Sequence, residues 1–185
     1  MADKGRALLL QHLRWQDVAA RTIEAVAAWR AASARRPPRI GWITTWNARC
    51  GLATYAKHLI DAGAEAVAVL APEQAERLRD DDAFVQRCWR TGKWDNGLGR
   101  LALAVDETRL DTLVLQFNHG LYNFEELASF VHGQVDAGRS VVVILHATAD
   151  PEGQPGEPAN WQLRTLAPAL VRCQRLLVHT LDDLN

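Results

Sequence analysis

The run Ser140–Leu145, which reads SVVVIL, constrains the fold of this chain more than any other stretch. After its first position it carries only apolar residues, most of them β-branched, so both faces of the strand that it predicts are expected to be buried. A strand buried on both faces is typical of the centre of a parallel sheet that has helices on either side. The run therefore predicts an α/β fold.

In the rest of the chain, predicted strands alternate with predicted helices, as an α/β fold requires. Weaker or shorter apolar runs predict five more strands, and helical patterns separate most of them. Alternating strands and helices with right-handed crossovers build a doubly wound, Rossmann-like parallel sheet. The predicted strands are 40–45, 64–70, 85–90, 112–117, 140–145 and 175–178, and the predicted helices are 52–60, 98–108, 124–135 and 161–171.

Two of these helices carry more specific expectations. The first is expected to bury one apolar face, made of Leu52, Ala56, Leu59 and Ile60. The helix over 124–135 is expected to start with a capping pair three residues apart, in the stretch NFEE, and to end at a glycine in the C′ position, Gly138.

The two ends of the chain predict further elements. Residues 1–36 form one long amphipathic helix in this prediction, because apolar residues from Trp15 to Trp29 follow the i, i+3, i+4 rule. The prolines at 37 and 38 end it, since proline disfavours helix at the residue before it. Near the other end, Thr180 and Asp183 have the spacing of a helix start that Asn185 leaves incomplete. We therefore expect the chain to be a piece of a longer polypeptide.

Composition and charge exclude several classes of function. The net charge of -1 and the pI of about 6.6 do not favour a nucleic-acid partner. The cysteines Cys50, Cys88 and Cys173 lie far apart without CxxC spacing, so reduced thiols are expected. No apolar run approaches the roughly 20 residues that span a bilayer. The sequence predicts a cytoplasmic protein.

Three histidines lie just after the ends of predicted strands: His119, which follows Asn118, and His146 and His179. Ligands of open parallel sheets bind at the carboxyl ends of the strands, so all three are candidates. His146 is the leading candidate for catalysis because it follows the most central strand. Zinc is an alternative ligand for three histidines, but their separate strands and the lack of a nearby carboxylate pair favour a site without metal. The aspartates at 80–82 predict a solvated acidic corner.

The turn 46–51, between the first strand and its helix, is the second candidate region. Its single glycine matches neither the GxGxxG fingerprint nor a GxxxxGK[ST] phosphate loop. It does offer a helix N-terminus, with Gly51 allowing close approach to the backbone and Arg49 able to bind phosphate or carboxylate. Two interpretations of Cys50 remain open: a nucleophilic thiol that acts with His146, or a small packing residue.

Four blocks of the sequence, taken in order, resemble the N-terminal domain of GT-B-fold glycosyltransferases of family 4. The blocks are TTWNARCGLATYAKHL, LVLQFNHGLYNFEELASFV, GRSVVVILHATADP and LAPALVRCQRLLVHTLDDLN, and the resemblance covers residues 39–185. It implies that this domain mainly holds the acceptor, across a cleft from a C-terminal domain that holds the nucleotide-sugar and has no counterpart here. The stretch RWQDVAARTIEAV resembles the terminal helix of a preceding glycosyltransferase domain.

The resemblance also implies roles for individual residues. His146 corresponds to a histidine near the transferred sugar and is expected to be catalytic. Gly51 corresponds to a turn that is often Gly-Gly in the family and approaches the donor, and Asn118 and His119 correspond to a crevice-lining turn. No metal or cofactor is implied, since helix dipoles and basic side chains stabilise the departing diphosphate in retaining GT-B enzymes. The residues expected to contact substrate are Trp46, Asn47, Arg49, Cys50, Gly51, Asn118 and His119.

Together these observations predict the acceptor-side half of a retaining hexosyltransferase, which uses a nucleotide-sugar donor and a glycan or lipid-linked acceptor. The chain by itself is expected to be inactive, and its uncovered cleft face leaves room for self-association. Peripheral association of the full-length protein with the inner membrane is a further expectation. A non-catalytic glycan-binding or assembly module is the alternative. A hydrolase-like enzyme that uses His146 with Cys50 or a metal ranks last, because the chain lacks a GxSxG elbow.

Overall fold

A computed structural model describes residues 23–24, 39–63, 67–73, 76–151 and 161–179. The chain divides into two compact units, Met1–Pro37 and Pro38–Asn185. In the first unit, Ile23 and Glu24 are described and are helical. The rest of the predicted N-terminal helix, and the predicted helix start at 180–183, lie outside the described residues.

The second unit is built on a six-stranded sheet in which all neighbouring strands are parallel. The strands are β1 (Ile40–Ile43), β2 (Val67–Pro72), β3 (Val85–Trp89), β4 (Thr112–Phe117), β5 (Ser140–Leu145) and β6 (Arg175–Leu177). Their order is β3-β2-β1-β4-β5-β6, so the direction in which the chain fills the sheet reverses between β1 and β4. The prediction of a parallel, Rossmann-like α/β sheet is confirmed. The expectation that 140–145 is the most central strand is wrong, because β5 is the fifth of the six strands and β1 and β4 lie at the centre.

Four α-helices and one 3₁₀-helix connect the strands over the described residues. They are α1 (Gly51–Ala62), α2 (Leu98–Glu107), α3 (Phe124–Asp136), α4 (Leu163–Leu170) and the 3₁₀-helix His119–Leu121. None of the helices described here is both long enough and apolar enough to span a membrane.

The ends of α3 largely follow the prediction. The side chain of Asn123 accepts a hydrogen bond from the backbone N–H of Glu126 at 3.0 Å, and Gly138 after the helix has a φ of 79°. The reciprocal half of the capping box is replaced, because the Glu126 carboxylate accepts from the backbone N–H of Asn96 instead, at 3.2 Å. The start of α3 is thereby tied to the loop before α2.

Two apolar cores lie on opposite faces of the sheet. Strand β2 shows the separation, since Leu70 belongs to the core under α2, α3 and α4, whereas Val69 and Ala71 belong to a smaller core under α1. Successive side chains of a strand point to opposite faces, so both faces of β2 are buried as a doubly wound sheet requires.

The predicted inner face of α1 is partly wrong. The structure buries Ala56 together with Ala53, whereas Leu59 is 40% exposed. Leu52 and Ile60 are half-buried and pack against different cores. Two small residues at the contact let the helix backbone lie close to the sheet, which places the larger apolar side chains along its flanks.

Candidate functional site

The carboxyl ends of all six strands lie at one edge of the sheet, because the strands are parallel. The turn after β1, Asn118 and His119 after β4, His146 after β5 and His179 after β6 are therefore all at this edge. Open α/β sheets bind ligands here, at the point where the strand order reverses. The predicted site residues share this edge but divide between the two faces of the sheet.

On the α1 face, His146 and His179 form a pair of contacting imidazoles. Nδ1 of His146 and Nε2 of His179 are 3.0 Å apart, and Tyr55 of α1 packs edge-on against both rings, with centroid distances of 5.0 and 5.3 Å. Burial, and then the neighbouring His179, lower the pKa of His146 below its ordinary value. His146 is therefore neutral at neutral pH and can offer one donor and one acceptor.

The register of the sheet explains this pairing. Val142 of β5 pairs with Arg175 of β6, and the same offset of 33 residues separates His146 from His179. Likewise, the offset of 72 residues between Ile40 and Thr112 in β1 and β4 also separates Thr44 from Gln116. The registers of the paired strands thus continue past the ends of β1, β5 and β6, where they bring polar side chains together in pairs.

On the opposite face, His119 lies among aromatic rings of the larger core. Its imidazole contacts Phe117, Phe124 and Trp161 at centroid distances of 5.8, 6.2 and 5.9 Å. The ammonium group of Lys93 lies 3.8 Å from the centre of the Trp161 ring. This group of side chains, which we call the His119–Trp161 corner, is separate from the histidine pair.

The surroundings of His119 favour its neutral form. Burial lowers the pKa of His119, and it outweighs a hydrogen bond with the backbone of Ala149 and the charge of Asp150, which both act in the opposite direction. Asp150 also accepts a hydrogen bond from the backbone N–H of Leu163, at 2.6 Å, which joins the loop after β5 to the start of α4.

Cys50 is the N-cap residue of α1, and its thiol contacts the hydroxyl of Thr45 at 3.5 Å. Burial raises the pKa of Cys50, but hydrogen bonds from Thr45 and from the backbone of Ala53 and Leu52 together lower it below its ordinary value. Cys88 and Cys173 differ, because burial raises the pKa of Cys88 to about 12 and that of Cys173 to about 11. Cys50 is thus the thiol that ionises most readily.

Trp46 and Asn47 are held by internal contacts. Trp46 is 3% exposed and packs edge-on against Phe84. Asn47 has a φ of 51°, and its side-chain amide donates to the Arg79 carbonyl at 2.6 Å and to Asp81 at 3.1 Å. These side chains fix the turn, whereas Arg49 and Gly51 are exposed and remain available to a ligand.

The prediction of a solvated acidic corner at 80–82 is wrong for Asp81. Its two oxygens accept from Nε and Nη2 of Arg87 at 2.6 and 3.0 Å, and both side chains are only 15% exposed. Arg87 also donates to the Pro72 and Trp46 carbonyls, at 2.7 and 3.3 Å. We call this arrangement the Asp81–Arg87 clasp; it joins β3, the end of β2 and the turn after β1.

Gly51 begins α1 and is open on its outer side. A Cβ atom built on it would meet no other atom within 4 Å. The packing of this chain therefore does not require a glycine here. A cleft of about 200 Å³ lies beside the same turn, between Ala53, Thr54 and Lys57 of α1 and residues 78–79.

Buried polar atoms without hydrogen-bond partners gather at this edge. Among the described residues there are five such side-chain atoms, and four lie at or near the carboxyl edge: Gln116 Nε2, His119 Nε2, His146 Nε2 and Trp161 Nε1. The fifth, Nε of Arg39, precedes β1 at the opposite edge. A buried polar group is rarely left unpaired without a functional reason or a bound partner.

The sequence analysis missed three of the residues at this edge: Tyr55, Gln116 and Trp161. Gln116 could have been identified, because it is a polar residue that interrupts the apolar run of β4. Tyr55 gave no such signal, since it lies beside a buried position of α1. Within the described ranges, no three His, Cys, Asp or Glu side chains are placed to hold a metal ion.

Comparisons with known proteins give no assignment. No family model, no curated protein and no solved structure matches this chain significantly.

Proposed function

We propose that this chain is the acceptor-side half of a retaining glycosyltransferase, which transfers a hexose from a nucleotide-sugar to a glycan or lipid-linked acceptor. One observation carries the proposal. The unpartnered buried polar atoms gather at the sheet edge where the family resemblance implies the transferred sugar and the crevice. Sugar hydroxyls both donate and accept hydrogen bonds, so they complement imidazole, amide and indole groups.

His146 is the catalytic residue of this proposal. Its Nδ1 is engaged by His179 and its ring is held by Tyr55, so the unpartnered Nε2 can hydrogen-bond a hydroxyl of the transferred sugar. A fixed imidazole places that hydrogen bond without reorganisation during the reaction. The N-terminus of α1 adds a positive dipole end close to the departing diphosphate.

The proposal requires a second, donor-binding domain across the cleft. We therefore expect no sugar transfer by the 185-residue chain alone. In a polypeptide that also carries the donor-binding domain, His146→Ala is expected to lower kcat/KM by roughly 10²-fold, the usual effect of removing one positioned hydrogen-bonding group. His58→Ala is the matched control, because His58 is exposed on α1. Transfer by the chain alone, or equal rates for the two variants, would contradict the proposal.

A glycan-binding module without transfer activity is the second candidate, and Cys50 favours it. The family often has a glycine at this place, whereas here a thiol side chain stands at the N-cap of α1 and contacts Thr45. The bulk of this side chain opposes the close approach of a donor phosphate to that helix end. If this candidate is correct, the chain binds glycans, the longer polypeptide transfers no sugar, and Cys50→Gly does not restore transfer.

A further inference from the structure

The His119–Trp161 corner contains two unpartnered polar atoms on contacting rings. The ring centroids are 5.9 Å apart at an interplanar angle of 72°. Trp161 is 9% exposed, and neither its Nε1 nor Nε2 of His119 has a hydrogen-bond partner among the described residues. Leaving such a group unpaired in a folded protein costs about 1–3 kcal/mol, so two adjacent cases call for a bound partner.

The two atoms have complementary hydrogen-bonding roles. The indole nitrogen of Trp161 can only donate. His119 is neutral at neutral pH, so its ring carries one N–H donor and one acceptor nitrogen, and Nε2 is the nitrogen without a partner. A hydroxyl group is the small group that both accepts from an indole N–H and donates to an imidazole nitrogen. A carboxylate or phosphate oxygen without a proton can only accept, so it would pair with Nε2 of His119 in one of the two tautomers alone, whereas a hydroxyl pairs with it in both.

The side chains around the His119–Trp161 corner belong to several segments at the carboxyl edge of the sheet. Phe117 and Phe124 back the His119 ring with apolar surface, and Lys93 lies over the indole face. Asp150, through its bond to Leu163, fixes the position of the segment that carries Trp161.

We propose that His119 and Trp161 form a hydroxyl-binding subsite for a carbohydrate, on the face of the sheet opposite the His146–His179 pair. The subsite would bind one hydroxyl of the acceptor sugar between the imidazole and the indole N–H, with the aromatic rings against its C–H surface. This inference rests on the proposed function for the identity of the ligand as an acceptor. The subsite itself is defined by the two rings.

The test follows the indole N–H of Trp161 by NMR in the 185-residue chain. The seven tryptophans give seven indole resonances, and Trp161→Phe identifies the one of Trp161 while keeping an aromatic ring in place. D-Glucose, D-mannose and D-galactose are titrated separately, with glycine betaine as a co-solute that lacks hydroxyls. We expect a saturable shift of the Trp161 resonance with at least one hexose, and no shift of exposed Trp94.

The Trp161→Phe variant provides a second measurement. With hexose binding followed by the ring protons of His119, loss of one hydrogen bond is expected to weaken the affinity about fivefold. Should the variant not fold, through-space contacts to His119 assign the Trp161 resonance in the unmodified chain, and the titration alone decides.

The outcomes separate this inference from the proposed function. No saturable shift with any hexose, or the same shift with betaine, would mean that the corner holds an ordered water only, and would overturn the subsite. A hexose-dependent shift together with unchanged transfer by His146→Ala would overturn the proposed function but not the subsite. Transfer that depends on His146 without any shift at Trp161 would overturn the subsite alone.

Discussion

The Asp81–Arg87 clasp is expected to be the most sensitive ionic contact of the described residues, and Arg87→Met tests this. The substitution keeps an unbranched apolar stem as far as the position of Nε but removes the rest of the guanidinium and its charge. It leaves Asp81 without its two bonds from Arg87, and the Pro72 and Trp46 carbonyls without their donor. A largely buried carboxylate then has only the amide of Asn47 as a hydrogen-bond donor, and its remaining ion-pair partner is the exposed guanidinium of Arg77 at 3.9 Å.

The magnitude follows from the burial of the pair. Removing one partner of a fully buried ion pair costs about 3–5 kcal/mol, because the other charge remains buried. Here both side chains retain 15% exposure, so we expect a loss of about 3 kcal/mol from a free energy of unfolding that is typically about 5–15 kcal/mol. For a unit of this size the midpoint of thermal unfolding should fall by roughly 6–12 °C.

The effect should depend on pH in a defined direction. Hydrogen bonding to Arg87, more than any other cause, lowers the pKa of Asp81 below its ordinary value. A carboxyl group whose pKa is lower in the folded state stabilises the fold above its unfolded pKa of about 3.9, and this contribution is lost as the pH falls through the folded value. The stability difference between the unmodified chain and Arg87→Met should therefore be full at neutral pH and shrink below about pH 4.

Urea unfolding at pH 7 and at several values below pH 4 measures both quantities. Arg79→Met is the matched control, because Arg79 makes an exposed pair with Asp82 at 3.2 Å with side-chain exposures of 62% and 42%. Such a pair contributes about 0–1 kcal/mol. Equal unfolding midpoints for the two variants, or a difference that grows as the pH falls, would refute this account of the clasp.

Two further predictions concern other internal contacts. Asn96 is fully buried; its amide group donates to three backbone carbonyls, and its side-chain oxygen accepts from the backbone N–H of Asn123. Asn96→Ala should therefore lower the free energy of unfolding, measured in urea, by about 3 kcal/mol. Asn118→Ala is the control, because Asn118 is partly exposed and should lose only about 1 kcal/mol. Iodoacetamide should alkylate Cys50 at lower pH than Cys88, as measured by mass spectrometry of the folded chain, and Thr45→Val should raise the pH at which Cys50 reacts, because Thr45 lowers the pKa of its thiol. Unchanged Cys50 kinetics in Thr45→Val would contradict the second prediction.

The fold could be predicted because its signals are local. The apolar run of β5, the cap at Asn123 and the glycine at 138 each specify an element from a few neighbouring residues, and all three are confirmed. The order of the strands could not be predicted in the same way, since the pairing of β1 with β4 joins residues 72 positions apart. Local patterns fix elements, whereas pairing depends on how the whole sheet packs.

The prediction of a solvated acidic corner at 80–82 was wrong for a related reason: the partners of Asp81 are distant in sequence. Three consecutive aspartates repel one another and predict solvation as long as only their neighbours in sequence are considered. The partner of Asp81 is an arginine on the next strand, and its second donor, Asn47, is 34 residues away. The prediction of the buried face of α1 was wrong for another reason. Hydrophobic periodicity predicted that Leu59 is buried, whereas close packing of the helix on the sheet buries the smaller Ala53 instead.

The candidate site could be predicted only in part, because the register between neighbouring strands cannot be read from the sequence. The sequence placed His119, His146 and His179 at one edge but could not divide them, because that requires the strand register. Once Val142 is paired with Arg175, the period of two along each strand puts His146 and His179 on the α1 face and next to each other. His119 follows β4 in a 3₁₀ turn, and its ring joins the aromatic side chains of the other face. A single edge therefore carries two separate polar groups, and a ligand that contacts both must pass over the ends of β4 and β5.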